Sequence, residues 1–305
     1  MNQFGIMVGL NRPDSFEGWF SKIDDKVNDL MLSVIWGYST HRDTSHAFIQ
    51  FTESRDNRTS YIRYPLEEMS WVEEPFELHI GKNVLSAKGM KLDLEVQGKS
   101  VQGDFTFGEF TPIRTSFLKP NIMGWLTRFP NECNHSITSM HHRVDGSLRI
   151  GEEEWMVRGA AGYMEKDWGR SFPREYVWAH ANGWEKSSFV FSYATVPVLG
   201  RFAKGFFLVI HHEGEEYRFS SIEGSRMLHF KVTDDAFVAI IGKGAYRVVI
   251  KARQAHPLEL ASPSFGEMSQ KIKESLDGKA EVMLLKGDEI LLDLKTRRAS
   301  IDVHF

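Results

Sequence analysis

The chain has 305 residues, 42% hydrophobic and 26% charged, with a formal net charge of -4. That length suggests roughly two domains or one large β-domain, and the composition supplies enough apolar residues for a sizeable core. The mild negative charge, without a long basic run, argues against nucleic acid as a partner. A lone cysteine, Cys133, excludes an intrachain disulfide framework and fits a reducing compartment. The opening MNQFGIMVGLNRPDSF lacks the charge, apolar core and cleavage site of a signal peptide. No apolar run approaches the roughly 20 residues of a spanning helix. These features predict a cytoplasmic protein without a transmembrane segment, with contact at a membrane surface left open.

Residues 1–29 show no clear period. Pro13 and Gly18 interrupt any helical pattern, and SFEGWFSK carries three aromatics, Phe16, Trp19 and Phe20. From Leu30 the pattern becomes strand-like: LMLSVIWGY (30–38), HAFIQFT (46–52), RTSYIRY (58–64), then alternating Phe76/Leu78/Ile80, Leu92/Leu94/Val96 and Phe105/Phe107. Short alternating runs at roughly ten-residue spacing predict an all-β sandwich or barrel. Residues 111–146 are less regular, and a long non-periodic stretch inside a compact protein is more often functional than filler. Asp145-Gly146 reads as a hairpin turn into SLRI. The small-residue run Gly159-Ala160-Ala161-Gly162 marks the expected boundary between an N-terminal domain, 1–158, and a C-terminal domain, 159–305. Beyond it, Phe189/Phe191/Tyr193, GFFLVIHH (205–212), Leu228/Phe230/Val232, YRVVIK (246–251), EVMLLK (281–286), EILLDL (289–294) and SIDVHF (300–305) restore the β pattern. One helix is expected over 264–276: Ser262-Pro263 opens it, Met268, Ile272 and Leu276 recur every four residues, and Asp277-Gly278 ends it.

The richest chemistry lies in GYMEKDWGRSFPREYVWAHANGW, residues 162–184. Side chains alternate faces along a strand. A strand over 163–168 puts Tyr163, Glu165 and Asp167 on one face and Met164, Lys166 and Trp168 on the other. A strand over 176–182 aligns Tyr176, Trp178, His180 and Asn182. Two carboxylates, an imidazole, an amide and a tryptophan then meet across a pair of strands, a setting that raises a carboxyl pKa and suits proton transfer. The plainer alternative is a buried ion pair that ties a β-core together. His141-His142 and His211-His212 point to opposite strand faces, so neither pair chelates one ion, and no zinc-type spacing is present. Cys133 and His135 share a strand face, but a lone cysteine is usually a small buried hydrophobe. No GxGxxG, P-loop or GxSxG occurs. The sequence therefore predicts neither metal nor cofactor. The 22 Phe and 8 Trp suit a core and also a cavity for a long apolar ligand.

The central stretch resembles the tocopherol cyclase family, which carries a tyrosine, E-K-x-W-G, F-P, and a tryptophan shortly before an Asn. Here these are Tyr163, Glu165, Lys166, Asp167, Trp168, Gly169, Phe172, Pro173, Trp178 and Asn182. Phe16-Glu17-Gly18-Trp19-Phe20, His46-Ala47-Phe48-Ile49-Gln50, Met123-Gly124 through Pro130 with Glu132-Cys133 and His135, and Pro263 through Glu274-Ser275 resemble further family segments in the same order. The resemblance covers nearly the whole chain. It implies two calycin or lipocalin-like antiparallel β-barrel domains, as in carotenoid hydratase-like and Diels–Alderase-like relatives. It also implies a redox-neutral, cofactor-free ring closure on a prenylated hydroquinone. One departure is His180, where the plant pattern has Gln. Asp167 and Glu165 are then the candidate catalytic acids, and Trp168, Phe172, Trp178, His180, Asn182, Glu132 and His135 are candidates for binding the substrate, with Glu132 and His135 as reserve acids. The expected partner is a hydrophobic small molecule drawn from solution or from a membrane surface. The rival expectations are a non-catalytic lipocalin-like carrier of an isoprenoid or other hydrophobic molecule, and an ion-pair core with an unrelated ligand.

Overall fold

The computed structural model describes residues 4–117, 119–128, 131–198 and 201–305; the motif position Pro130 lies outside them. The fold is all-β, built on two large antiparallel sheets. The first sheet holds β1 (Phe16–Asp25), β2 (Leu30–Ser39), β3 (His46–Glu53), β4 (Arg58–Tyr64), β5 (Met69–Glu73), β6 (Phe76–Ile80), β7 (Asn83–Ser86), β8 (Gly89–Val96), β9 (Lys99–Phe107), β10 (Cys133–Ile150) and β11 (Glu153–Gly169). Their order is β4-β3-β2-β1-β11-β10-β9-β8-β7-β6-β5. The second sheet holds β12 (Tyr176–Trp184), β13 (Ser187–Val198), β14 (Arg201–His212), β15 (Glu215–Ser220), β16 (Arg226–Val232), β17 (Ala236–Lys243), β18 (Tyr246–Arg253), β19 (Leu258–Ser264), β20 (Glu267–Lys286) and β21 (Glu289–His304). Its order is β15-β14-β13-β12-β21-β20-β18-β17-β16, with β19 pairing β20.

The chain falls into two compact units. One takes the chain up to Phe172 together with Leu260–Lys271; the other takes Pro173–Glu259 with Ile272–Phe305. In the first unit the sheet curls until β3 nears β6 and β4 nears β8, an almost closed barrel. Its core gathers Trp19, Ile23, Leu32, Val34, Trp36, Ile49, Leu78, Leu92, Leu148 and Met164. In the second unit Phe189, Phe191, Leu208, Ile210, Phe237, Ile250, Val282 and Ile301 form an equivalent core.

Four expectations change. First, β1 is a central strand, paired with both β2 and β11. Every one of its residues is buried, so it shows none of the alternation that marks a half-exposed strand. Second, the helix expected over 264–276 is replaced by the β19–β20 hairpin. Ile272 and Leu276 both lie on the buried face of β20, because a spacing of four satisfies period 2 as well as period 3.6. Phe265 and Gly266 both take positive φ, 50° and 80°, the pairing that two-residue hairpin turns require. A Cβ on Gly266 would meet Ser15 N at 2.5 Å, so close backbone approach as well as conformation demands glycine there. Among the described residues the helical segments are three short 3-10 turns, Leu66–Glu68, Gly124–Arg128 and Ser221–Glu223, and no helix is long and apolar enough to cross a membrane. Third, Asp145-Gly146 does not turn the chain: β10 continues through it with a register irregularity between Val144 and Gly146. Fourth, the strand over 163–168 and the strand over 176–182 do not pair. The first lies in β11 between β1 and β10; the second lies in β12 between β13 and β21.

Candidate functional site

β11 alternates as its sequence predicts. Lys166 turns inward with Trp168 and Trp19, its Nζ lying 4.5 Å from the Trp19 ring centre and 5.6 Å from that of Trp168. It pairs there with the fully buried Glu17 and donates to the Gly5 carbonyl. Glu17 also accepts from Met7 N at 2.7 Å, Val8 N at 2.8 Å and the Tyr38 hydroxyl. Burial lowers the Lys166 pKa, against the opposing pull of Glu17. This is a structural ion pair that fastens the N-terminal segment to the first sheet. Trp168 belongs to this face, so β11 places it opposite the acids.

On the other face of β11 stand Tyr163, Glu165 and Asp167. The register sets His135 of β10 directly opposite Asp167, and Ile137 opposite Glu165. Cross-strand neighbours lie close enough for their side chains to touch. His135 Nδ1 lies 2.8 Å from Asp167 Oδ1, and His135 Nε2 lies 3.3 Å from Glu165 Oε2. The Tyr163 hydroxyl donates to Glu165 Oε2 at 2.5 Å. The result is one chain of polar contacts: Tyr163, Glu165, His135, Asp167. Burial works against charge on His135, but the Asp167 and Glu165 carboxylates outweigh it and hold the imidazole up at about 9. Burial, then Glu165, pushes the Tyr163 phenol well above its ordinary range. The Asp167 side chain is 21% exposed against 8% for Glu165, so Asp167 is the accessible end of the chain.

Cys133 lies on this face with its Sγ 4.0 Å from Asp167 Oδ1. Burial, then Asp167 and Glu132, raises its pKa, which keeps it a thiol and removes it as a nucleophile. Glu132 contributes its backbone: its carbonyl accepts from Arg170 N at 2.7 Å and Ser171 N at 3.2 Å. Phe172 packs edge-on against Phe16, ring centres 5.5 Å apart. In the second unit, Trp178 stacks on His180 with ring centres 6.0 Å apart. His180 and Asn182 are fully buried. Trp178 sits opposite Asp302 of β21, whose other neighbour in register is Glu274 of β20.

No sequence spacing suggested a ligand set for a metal, yet the fold gathers one. A ligand atom from each of His135, Glu165 and Asp167 lies within 4.8 Å of the others. Both imidazole nitrogens already face carboxylates, so the geometry favours a shared proton; an ion would have to displace one of those contacts. The paired histidines do not join it. His142 packs between Phe107 and Phe110, and burial lowers its pKa to about 3. His212 Nδ1 is 2.8 Å from Ser187 Oγ.

A family model described as tocopherol cyclase-like matches residues 105–304. Among solved structures, CghA aligns over 95% of this chain and 88% of its own, with a TM-score of 0.59 at 9% identity. Kievitone hydratase from Nectria haematococca aligns over 99% of this chain and 94% of its own, with a TM-score of 0.55 at 10% identity. No curated protein sequence gives a significant match. At these identities the structural likeness speaks for the fold.

Proposed function

Because the chain belongs to the tocopherol cyclase-like family, we propose that it is an acid–base enzyme closing a ring, without redox change, on a hydrophobic substrate of the prenylated hydroquinone class. Two calycin-type barrels are the architecture that goes with this reading. The observation that carries it is the His135 imidazole held between two carboxylates, Asp167 at 2.8 Å and Glu165 at 3.3 Å.

Ring closure adds a proton to a trisubstituted alkene and forms a bond between a phenol oxygen and the tertiary cation. The phenol then releases its proton. His135 stays protonated at neutral pH and serves as the proton store. Asp167, the accessible carboxyl, receives that proton through the hydrogen bond and delivers it to the alkene carbon. Glu165 and the Tyr163 hydroxyl hold the imidazole in place. The phenol proton returns to the same chain, so product and substrate have equal mass and the network ends as it began. Positioned proton transfer of this kind contributes about 10²–10⁴ in rate.

The test is Asp167→Asn assayed with geranylhydroquinone. Turnover should fall roughly 10²–10⁴-fold with the variant still folded at the assay temperature and ligand binding preserved. Full activity in a folded variant removes Asp167 from the mechanism. Tight binding by the wild-type protein with the quinol recovered unchanged makes it a carrier instead.

A further inference from the structure

We propose that Gly18 determines specificity: its missing side chain leaves a slot beside Asp167 that receives a flat, unsaturated part of the substrate. This deepens the reading of Asp167 as the accessible carboxyl and rests on it.

Gly18 lies in the middle of β1, opposite Asp167 on one side and opposite Gly37 on the other. Its face of β1 also carries Phe16 and Phe20, two residues away in each direction. Glycine inside a strand costs stability relative to alanine, because it loses more backbone freedom on folding. Such a glycine needs a reason. At Gly37 the reason is packing: a Cβ there would meet the Phe48 ring at 2.5 Å and the Glu17 carbonyl at 2.7 Å. At Gly162 the His142 ring occupies the space. Gly18 has neither reason. Its φ lies outside the left-handed region. Among the described residues, a Cβ there would meet Trp36 O at 3.5 Å and Ile35 Cγ2 at 3.8 Å, both ordinary contacts. The position is nevertheless buried. A buried strand glycine that packing does not require marks a place where something else approaches the backbone closely.

The surroundings name the chemistry of what approaches. Phe16, backed by Phe172, and Phe20 stand at the two ends, Phe48 lies over Gly37, and the floor is peptide backbone. Asp167 sits at the edge. A planar ring carrying a hydroxyl matches apolar walls, a flat floor and one carboxylate.

The experiment compares wild type, Gly18→Ala and Gly18→Leu in three measurements. The melting temperature of the free protein should hold or rise in Gly18→Ala, because the space accepts a methyl group and alanine restricts the unfolded chain. A drop of more than about 5 °C shows that no slot exists and overturns the proposal. Binding of 1-naphthol, a planar phenol without an alkene, should weaken slightly in Gly18→Ala and roughly tenfold or more in Gly18→Leu. Equal affinity in all three proteins, or no binding to wild type, overturns the proposal. Turnover of geranylhydroquinone separates the two readings. If wild type forms no isomer while Gly18→Leu still blocks 1-naphthol, the slot stands and ring closure falls. If Gly18→Leu forms product as fast as wild type, the slot falls and ring closure stands.

Discussion

The charge on His135 is the most direct probe of the site. Its pKa rises from an ordinary 6.5 to about 9, an interval of about 2.5 pH units worth ~1.4 kcal/mol each, so about 3 kcal/mol. A histidine whose folded pKa is raised stabilises the fold fully below its unfolded pKa, near 6.5. That contribution is lost as pH climbs through about 9. Urea unfolding of the wild-type protein should therefore weaken by about 3 kcal/mol between pH 6.5 and 9.5, beyond whatever slope a His135→Gln variant shows over the same range. Asp167 is the larger of the two influences raising the imidazole. In Asp167→Asn the His135 titration midpoint, followed by the imidazole proton resonance, should fall by roughly 1–3 pH units, since burial then acts with only Glu165 against it. The same pH slope in wild type and His135→Gln, or an unmoved midpoint in Asp167→Asn, would refute the claim that a charged imidazole joins the two carboxylates.

The Glu17–Lys166 pair should respond asymmetrically. Glu17→Leu leaves a buried ammonium with the Gly5 carbonyl and should cost about 3–5 kcal/mol in urea unfolding. Lys166→Met should cost less, because Glu17 keeps the Tyr38 hydroxyl and the Met7 and Val8 amides; equal costs would contradict this. Gly266→Val forces a branched residue into φ 80° against the Ser15 backbone. It should lower the melting temperature by several degrees, whereas Gly214→Ala, at φ 87° with open space around it, should lower it less. Elemental analysis should find well under one equivalent of divalent metal, because His135 Nδ1 is hydrogen-bonded to Asp167 and Nε2 faces Glu165 at 3.3 Å. A full equivalent that depends on Asp167 would replace the shared proton with an ion.

The alternation of Tyr163, Glu165 and Asp167 could be read from the sequence because one strand face is set by a period of two. The same rule separated Lys166 and Trp168 from the acids, and the structure puts both on the opposite face. His135 could only be ranked as a reserve acid. It meets Asp167 from 32 positions away through a register between β10 and β11 that includes several irregularities, and no local pattern encodes such a register. The helix expected over 264–276 failed for a related reason. Three apolar residues at intervals of four fit both periods, and the Phe265-Gly266 turn that decides between them lacks the usual Asn-Gly or Asp-Gly signature.

β1 joins these points. In FEGWFSKIDD, one face gives Trp19 and Ile23 to the barrel core, and the other gives Phe16, Gly18, Phe20 and Lys22 to the face that holds the acids. A strand at the centre of a sheet and buried on both sides needs residues suited to two different environments. Its sequence therefore has no hydrophobic period, and its glycine resembles a break. The physical cue lies in the pairing. Gly18 sits in register with Asp167, and His135 sits in register with the same residue from the other side. The strand that sequence periodicity could not detect is the one that sets a position without a side chain beside the more exposed carboxylate of the relay. A core strand gains nothing from such a position; a strand that presents a substrate to an acid does.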